Sequence, residues 1–260
     1  MYSVTFELET ITPMFMYGAE QNKAELRPPS FKGMMRFWWR AMRAEDSIAD
    51  FADLAQEESL LFGGTGEKQG RSKVIVKIVQ REDKNPAVLQ KKHFQEEFQG
   101  VSYLLYSTFM KPKQCFSPNT KFKLELSSND KNALQQAEAA FWLALTFGGF
   151  GTRARRGGGN VAVKTIACKN LSLEYEEELS QRYILQTDLQ AYLRQGYQKA
   201  KSVITQNQAG TEEYSNLSKA RIWINTNIQD QTSWKKVLDN LGRAFMDYRG
   251  KTRRHPDYQK

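Results

Sequence analysis

Apolar and polar positions alternate at the start of the chain, with Val4, Phe6 and Leu8 set against Thr5, Glu7 and Glu9. That period of two predicts a half-buried strand over about residues 2–11. A loop with Pro13, Gly18 and Pro28-Pro29 follows, and Ser30 sits where an N-cap belongs before an amphipathic helix reaching about Ala44. A second helix is expected over Ser47–Leu61, broken by Gly63-Gly64-Thr65-Gly66, and then a Val/Ile-rich strand over Ser72–Gln80. Val101–Tyr106 reads as a short strand. Phe122, Leu124 and Leu126 alternate with Lys121, Lys123 and Glu125, which gives another. Asp130 can cap a helix running to Phe147, and a strand is expected over Val161–Ala167. Without the short extra elements, residues 1–168 read β-α-β-β-α-β. The expected fold is therefore α+β and ferredoxin-like, an antiparallel sheet with two helices on one face. Residues 1–170 form that unit. Residues 171–260 read as a mainly helical part or an incomplete second ferredoxin-like part, with helices near Leu185–Gln206 and Ser233–Tyr248 and a strand near Arg221–Asn225.

The helix after Pro28-Pro29 has two faces. At about 100° per residue, Phe31, Met34, Met35, Trp38 and Met42 share one arc, the width of a core-facing stripe. Lys32, Arg36, Trp39, Arg40 and Arg43 share another. Within Arg27–Arg43 there are five cations and no acid. An acid-free cationic face with an indole suits a strand of nucleic acid, whose phosphates meet the cations while a base stacks on the ring. Trp38, on the apolar arc, is expected to pack.

The segment Phe147–Asn160 holds six glycines, three arginines (Arg153, Arg155, Arg156) and no acid. Glycine allows close backbone approach and guanidiniums recognise phosphate, so the loop suits an extended anion. Gly149-Phe150-Gly151-Thr152-Arg153-Ala154 fits the dinucleotide fingerprint only by letters. That fingerprint follows a strand and opens a helix, whereas this segment follows a helix and opens a strand. No P-loop pattern occurs.

The formal charge of +9 and the pI near 9.4 fit an anionic partner. Cys115 and Cys168 give no disulfide framework, and free thiols are expected. Met1 runs straight into a strand pattern and no apolar run is long enough to span a bilayer, so a soluble, cytoplasmic chain with no membrane association is expected. The two histidines, His93 and His255, lack sequence-adjacent partners for acid–base work, and no cluster has zinc-ligand spacing. No catalytic residue, metal or cofactor is expected.

The glycine–arginine loop resembles the signature of the RAMP superfamily, the repeat-associated proteins of CRISPR systems. The segment Arg27-Pro28-Pro29-Ser30-Phe31-Lys32-Gly33-Met34-Met35-Arg36-Phe37-Trp38-Trp39-Arg40-Ala41, with Leu61-Phe62-Gly63-Gly64, is similar to the first subunit of the type III-B Cmr effector complex. These matches fall in the same order over residues 1–170. The resemblance implies a non-catalytic, RNA-binding ribonucleoprotein subunit acting in antiviral defence. It would hold the 3′ region of CRISPR RNA, the matching end of target RNA, or both, beside other RAMP subunits. It carries Arg27, Lys32, Arg36 and Arg40 over from the helix motif. From the loop motif it carries Arg153, Arg155 and Arg156 with Gly149, Gly151 and Gly157. Trp39 and Arg43 join them on the wheel argument. The rival is a metal-independent CRISPR-RNA-processing endoribonuclease of the same superfamily, and a third reading is a generic single-strand binder. Members usually carry a second ferredoxin-like unit, for which the 90 residues from Leu171 to Lys260 are short.

Overall fold

The structure, a computed structural model, describes residues 1–44, 51–66, 70–81, 86–94, 96–184, 188–205, 217, 220–222 and 233–253. Strand β1 (Tyr2–Thr10) leads into helix α1 (Pro28–Arg43) and then α2 (Phe51–Phe62). Strand β2 (Ile75–Arg81) is followed by a long insertion with a small β3 (Ala87–Val88), α3 (Gln99–Leu104) and β4 (Gln114–Cys115). The chain then returns through β5 (Lys121–Ser128), α4 (Lys131–Phe147) and β6 (Val161–Lys169). Helices α5 (Leu173–Tyr183), α6 (Leu189–Ile204) and α7 (Trp234–Arg253) complete it.

The main sheet has the order β2-β5-β1-β6, with all three pairings antiparallel. Crossovers through α1 and α4 produce that order, which is the ferredoxin-like arrangement expected from the alternation pattern. Val4, Phe6 and Leu8 pair with Leu126, Leu124 and Phe122, so the centre of one sheet face is apolar and carries the helices. The other face is set by Glu7 opposite Lys123, Glu9 opposite Lys121 and Glu125 opposite Lys77. It holds cross-strand charge pairs and, along β1 and β5, no aromatic ring on which a base could stack.

Two apolar clusters organise the molecule. The larger lies between the sheet and α1, α2 and α4, and it includes Leu179 and Tyr183 of α5 and Ala200 and Ile204 of α6. Helices α5 and α6 therefore share the core of the first 170 residues and do not build one of their own. Glu138 of α4 lies inside this junction, accepting a hydrogen bond from the Tyr175 hydroxyl, with Arg182 Nη2 3.9 Å from its carboxylate. Burial pushes the Glu138 carboxyl up to about 7, while the Tyr175 hydroxyl and the Arg182 charge pull it the other way. The smaller cluster joins Phe15, Phe94, Val101, Leu104, Leu105, Cys115 and Leu238, so the insertion and α7 form a module of their own. Gly100 N donates to Asp239 Oδ1 at 2.6 Å, locking α3 to α7.

Several expectations change. Val101–Tyr106 is helix and turn, not strand: Val101, Leu104 and Leu105 share the spacing of a helix face buried against Leu238. A short apolar run cannot distinguish the two alone. Arg27, not Ser30, is the N-cap of α1, because Pro28 and Pro29 occupy its first turn, where proline's missing N–H costs nothing. Helix α5 is additional, capped by Ser172, whose hydroxyl accepts from Tyr175 N. Asp130 caps α4 as expected, accepting from Ala133 N. Residues 223–225 of the strand expected near Arg221–Asn225 lie outside the described residues, as do residues 47–50, 185–187, 206 and His255. Cys115 and Cys168 are both free thiols.

Candidate nucleic-acid interface

Helix α1 turns its apolar stripe further toward Trp39 than an isolated wheel indicates. Phe31, Met35, Trp39 and Met42 are its large buried apolar side chains, while Trp38 is only half-buried. Trp39 is 2% exposed, and its Nε1 donates to Gln136 Oε1 of α4 at 3.0 Å. This corrects its assignment to an open basic face: α4 and α2 close over that side of the helix, and Trp39 meets Phe62 edge-on. Arg43 is corrected likewise. It is 6% exposed and holds Glu57 in a two-pronged pair, Nε to Oε2 at 2.7 Å and Nη2 to Oε1 at 3.0 Å.

The remaining cations of α1 are presented, but not bare. Arg36 Nε donates to Glu58 Oε1 and Arg40 Nη1 donates to Glu58 Oε2, so one carboxylate of α2 holds two guanidiniums one turn apart. The Glu58 side chain is 5% exposed while each arginine side chain is 35% exposed. A single negative charge thus faces two positive ones, and the site keeps a net positive charge with guanidinium edges outward. Lys32 Nζ donates to Ser72 Oγ at 2.6 Å and Val74 O at 3.2 Å. Burial first, and then the Arg36 charge, lower its ammonium below the ordinary lysine range. Arg27 Nη1 donates to Tyr17 O at 3.2 Å, with Nε 3.8 Å from Glu25.

The glycine–arginine loop is a built structure and not a slack turn. Thr152 N donates to Phe15 O at 2.7 Å, Gly159 N to Pro13 O at 2.9 Å, and Asn160 N to Thr12 Oγ1 at 2.9 Å. Phe150 N closes the loop base onto Gly159 O at 2.9 Å. Gly151 (φ 89°) and Gly159 (φ 69°) take left-handed conformations, and a Cβ on either would overlap a backbone oxygen, Phe15 O or Phe150 O respectively. Arg153 is left-handed too, at φ 68° and ψ 19°, a conformation that costs a non-glycine residue roughly 1–2 kcal/mol. Arg156 N and Gly158 N both donate to its carbonyl, at 2.8 and 3.1 Å, and hold it there. Ala154–Arg156 make a single 3₁₀ turn, and Gly157 follows at φ 81° against Leu238 of α7.

Each half of the loop faces a different aromatic ring. The Arg153 guanidinium lies 4.4 Å from the Tyr106 ring centre, and the Arg156 guanidinium 5.2 Å from that of Phe245. Nε and Nη2 of Arg153 are buried without a hydrogen-bond acceptor among the described residues. Arg155 is exposed. Phe31 of α1 packs at a tilt against Phe150 at 4.6 Å, and Trp38 meets Phe147 at 6.0 Å, so helix and loop adjoin through aromatics. Their cations do not converge. Arg36, Arg40 and Arg43 face α2, whereas Arg153 and Arg156 face Tyr106 and Phe245 of the α3–α7 side.

The pattern of the RAMP superfamily matches residues 7–162. The CRISPR system Cmr subunit Cmr1-2 of Pyrococcus furiosus is 32% identical over 185 residues, which is 64% of this chain and 97% of that protein. The chain belongs to the RAMP superfamily, in its Cmr1 branch. The Cmr1-1 subunit of the same organism is 28% identical over 169 residues, 63% of this chain and 48% of that longer relative. Among solved structures, apo Cmr1 from Pyrococcus furiosus superposes with a TM-score of 0.71 at 21% identity, covering 99% of this chain and 77% of that one. A chain of the type III-B Cmr-beta complex bound to cognate target RNA superposes at 0.61 and 12% identity, covering 94% and 73%. These two likenesses establish a shared fold.

For this RAMP chain, sequence reasoning missed Glu57, Glu58, Tyr106 and Phe245. The two acids had a signal: they sit on an amphipathic helix that directly follows α1 and precedes the next sheet strand, so it must pack nearby. The aromatics had none, being far from the loop in sequence. Among the described residues no group of three or more His, Cys, Asp or Glu side chains gathers as metal ligands would, and no helix is long and apolar enough to cross a membrane. His93 is exposed, and its Nδ1 accepts from Gln90 N at 3.2 Å.

Proposed function

We propose that this chain is a non-catalytic RNA-binding subunit of a type III-B CRISPR effector ribonucleoprotein of the cytoplasm. It holds the 3′ region of CRISPR RNA, the matching end of target RNA, or both, and it neighbours other RAMP subunits. The observation that carries the reading is the loop Gly148–Asn160, held by backbone hydrogen bonds with Arg153 to Arg156 at its tip and no acid within it. Preformed backbone and fixed guanidiniums suit a phosphodiester strand, since phosphate contacts position a nucleic acid without demanding a base sequence. The kinship supports it: the curated relatives are Cmr subunits, and a structural neighbour is a complex bound to target RNA.

A salt titration of single-stranded RNA binding tests the proposal. Each phosphate contact on a single strand contributes about 0.7 to the slope of log affinity against log salt. Changing Arg153, Arg155 and Arg156 together to alanine should flatten that slope by roughly 2 and weaken binding in proportion. The same RNA should be recovered uncut. Unchanged affinity and slope would remove the loop from the interface, and specific cleavage abolished by His93→Ala would replace the reading with a nuclease.

A further inference from the structure

Two aromatic rings flank the arginine loop and remain largely open to solvent. Tyr106 is 56% exposed and Phe245 is 41% exposed, although each has a guanidinium over it, at 4.4 and 5.2 Å. They come from different parts of the chain. Tyr106 opens the turn after α3, and Phe245 lies on α7, yet α3 and α7 pack together through Gly100 and Asp239. Arg249 Nη1 also donates to the Tyr103 hydroxyl at 3.1 Å, which ties the two elements once more beside Tyr106. The rings therefore approach the loop from one module.

Packing alone does not account for this arrangement. An exposed cation–π pair stabilises by only about 0.5–1 kcal/mol, whereas burying a large ring contributes roughly 1.5–3 kcal/mol. A ring serving only the fold would gain more from the interior. Arg153 adds a second sign. It sits in a costly left-handed conformation, and two of its nitrogens lack an acceptor among the described residues, so its placement serves something other than a hydrogen bond within the chain. A guanidinium over one face of a partly exposed ring leaves ring surface for a base, and single-stranded nucleic acid is gripped by that pairing of parts, cations on phosphates and aromatics under bases. The polar sheet face has no such ring on β1 or β5, so stacking cannot be placed there.

We infer that Tyr106 and Phe245 are nucleobase-stacking platforms, one on each side of the Arg153–Arg156 turn, and that the bases they take are unpaired bases of RNA. This rests on the RNA-binding reading above and adds to it where along the chain bases, as opposed to phosphates, are held. The insertion between β2 and β5 and helix α7 then become part of the interface, not a structural appendage.

The test compares a single-stranded RNA with an oligomer of equal length and charge whose central positions are abasic, using the full chain and the same series of salt concentrations for both strands. One stacked base corresponds to roughly 5- to 150-fold in affinity. The wild-type chain should prefer the base-bearing strand by at least the lower figure. Tyr106→Leu and Phe245→Leu should each shrink that preference while leaving the salt slope and the melting temperature nearly unchanged, and Tyr106→Phe should keep it. Equal binding of the two strands by the wild type would overturn this inference alone. A preference that survives both leucine variants would overturn it too. Failure of the wild type to bind either strand at low salt would overturn the underlying reading as well.

Discussion

Two guanidiniums share the Glu58 carboxylate, and that sharing sets how much of the α1 charge a ligand can feel. Arg36 and Arg40 would be mobile and like-charged one turn apart without it; with it they are oriented and half neutralised. Because both arginine side chains are about one-third exposed, water can resolvate them if the carboxylate is lost, so Glu58→Ala should cost only about 1–3 kcal/mol of stability. Glu58→Gln keeps the shape and removes the charge. If the helix face meets RNA, that variant should bind RNA more tightly and steepen the salt dependence by about 0.7, read by fluorescence anisotropy. An unchanged slope would confine the interface to the loop. The acid-free wheel of Arg27–Arg43 was a true property of the segment and an incomplete one. The acids that answer it, Glu57 and Glu58, come from the next helix, and Trp39 was turned inward by the partners that α4 and α2 supply. A helix wheel knows its own residues but not which neighbours will cover them.

At the scale of elements, the loop's glycines divide by what they face. Gly151→Ala and Gly159→Ala each place a Cβ against a backbone oxygen in a left-handed conformation, and each should lower stability by at least about 1–2 kcal/mol. Gly33 on α1 has nothing near its absent Cβ and is exposed within a helix. There alanine should raise stability by about 0.5–1 kcal/mol. Thermal melts of the three variants check the contrast, and a Gly159→Ala protein as stable as Gly33→Ala would show that the loop is not held as described. The strands β1, β5 and β6 and the helix α4 were legible because their periods are long and clean and because Asp130 supplies a cap. Helix α3 was not, since six residues with Val101 and Leu104 inside them satisfy either period until Leu238 arrives from far along the chain.

On the scale of the whole molecule, one sheet-and-helix core and one smaller cluster meet at the loop. The sheet side presents it through Phe31 and Phe150, Phe15 of the smaller cluster accepts from Thr152 N, and the elements around that cluster supply Tyr106, Phe245 and Leu238 at its tip. The half proposed to meet phosphates was visible as a cluster of glycines and arginines in one stretch of sequence. The aromatic half was not, because its members join only when the insertion folds against the last helix. Ultraviolet cross-linking of RNA to the chain within its native complex, followed by mass spectrometry of the adducts, tests the central claim most directly. The account predicts RNA adducts in peptides spanning 147–160, with further adducts at Tyr106. Adducts confined to other surfaces, such as α5 and α6 or the charged face of the sheet, would contradict it.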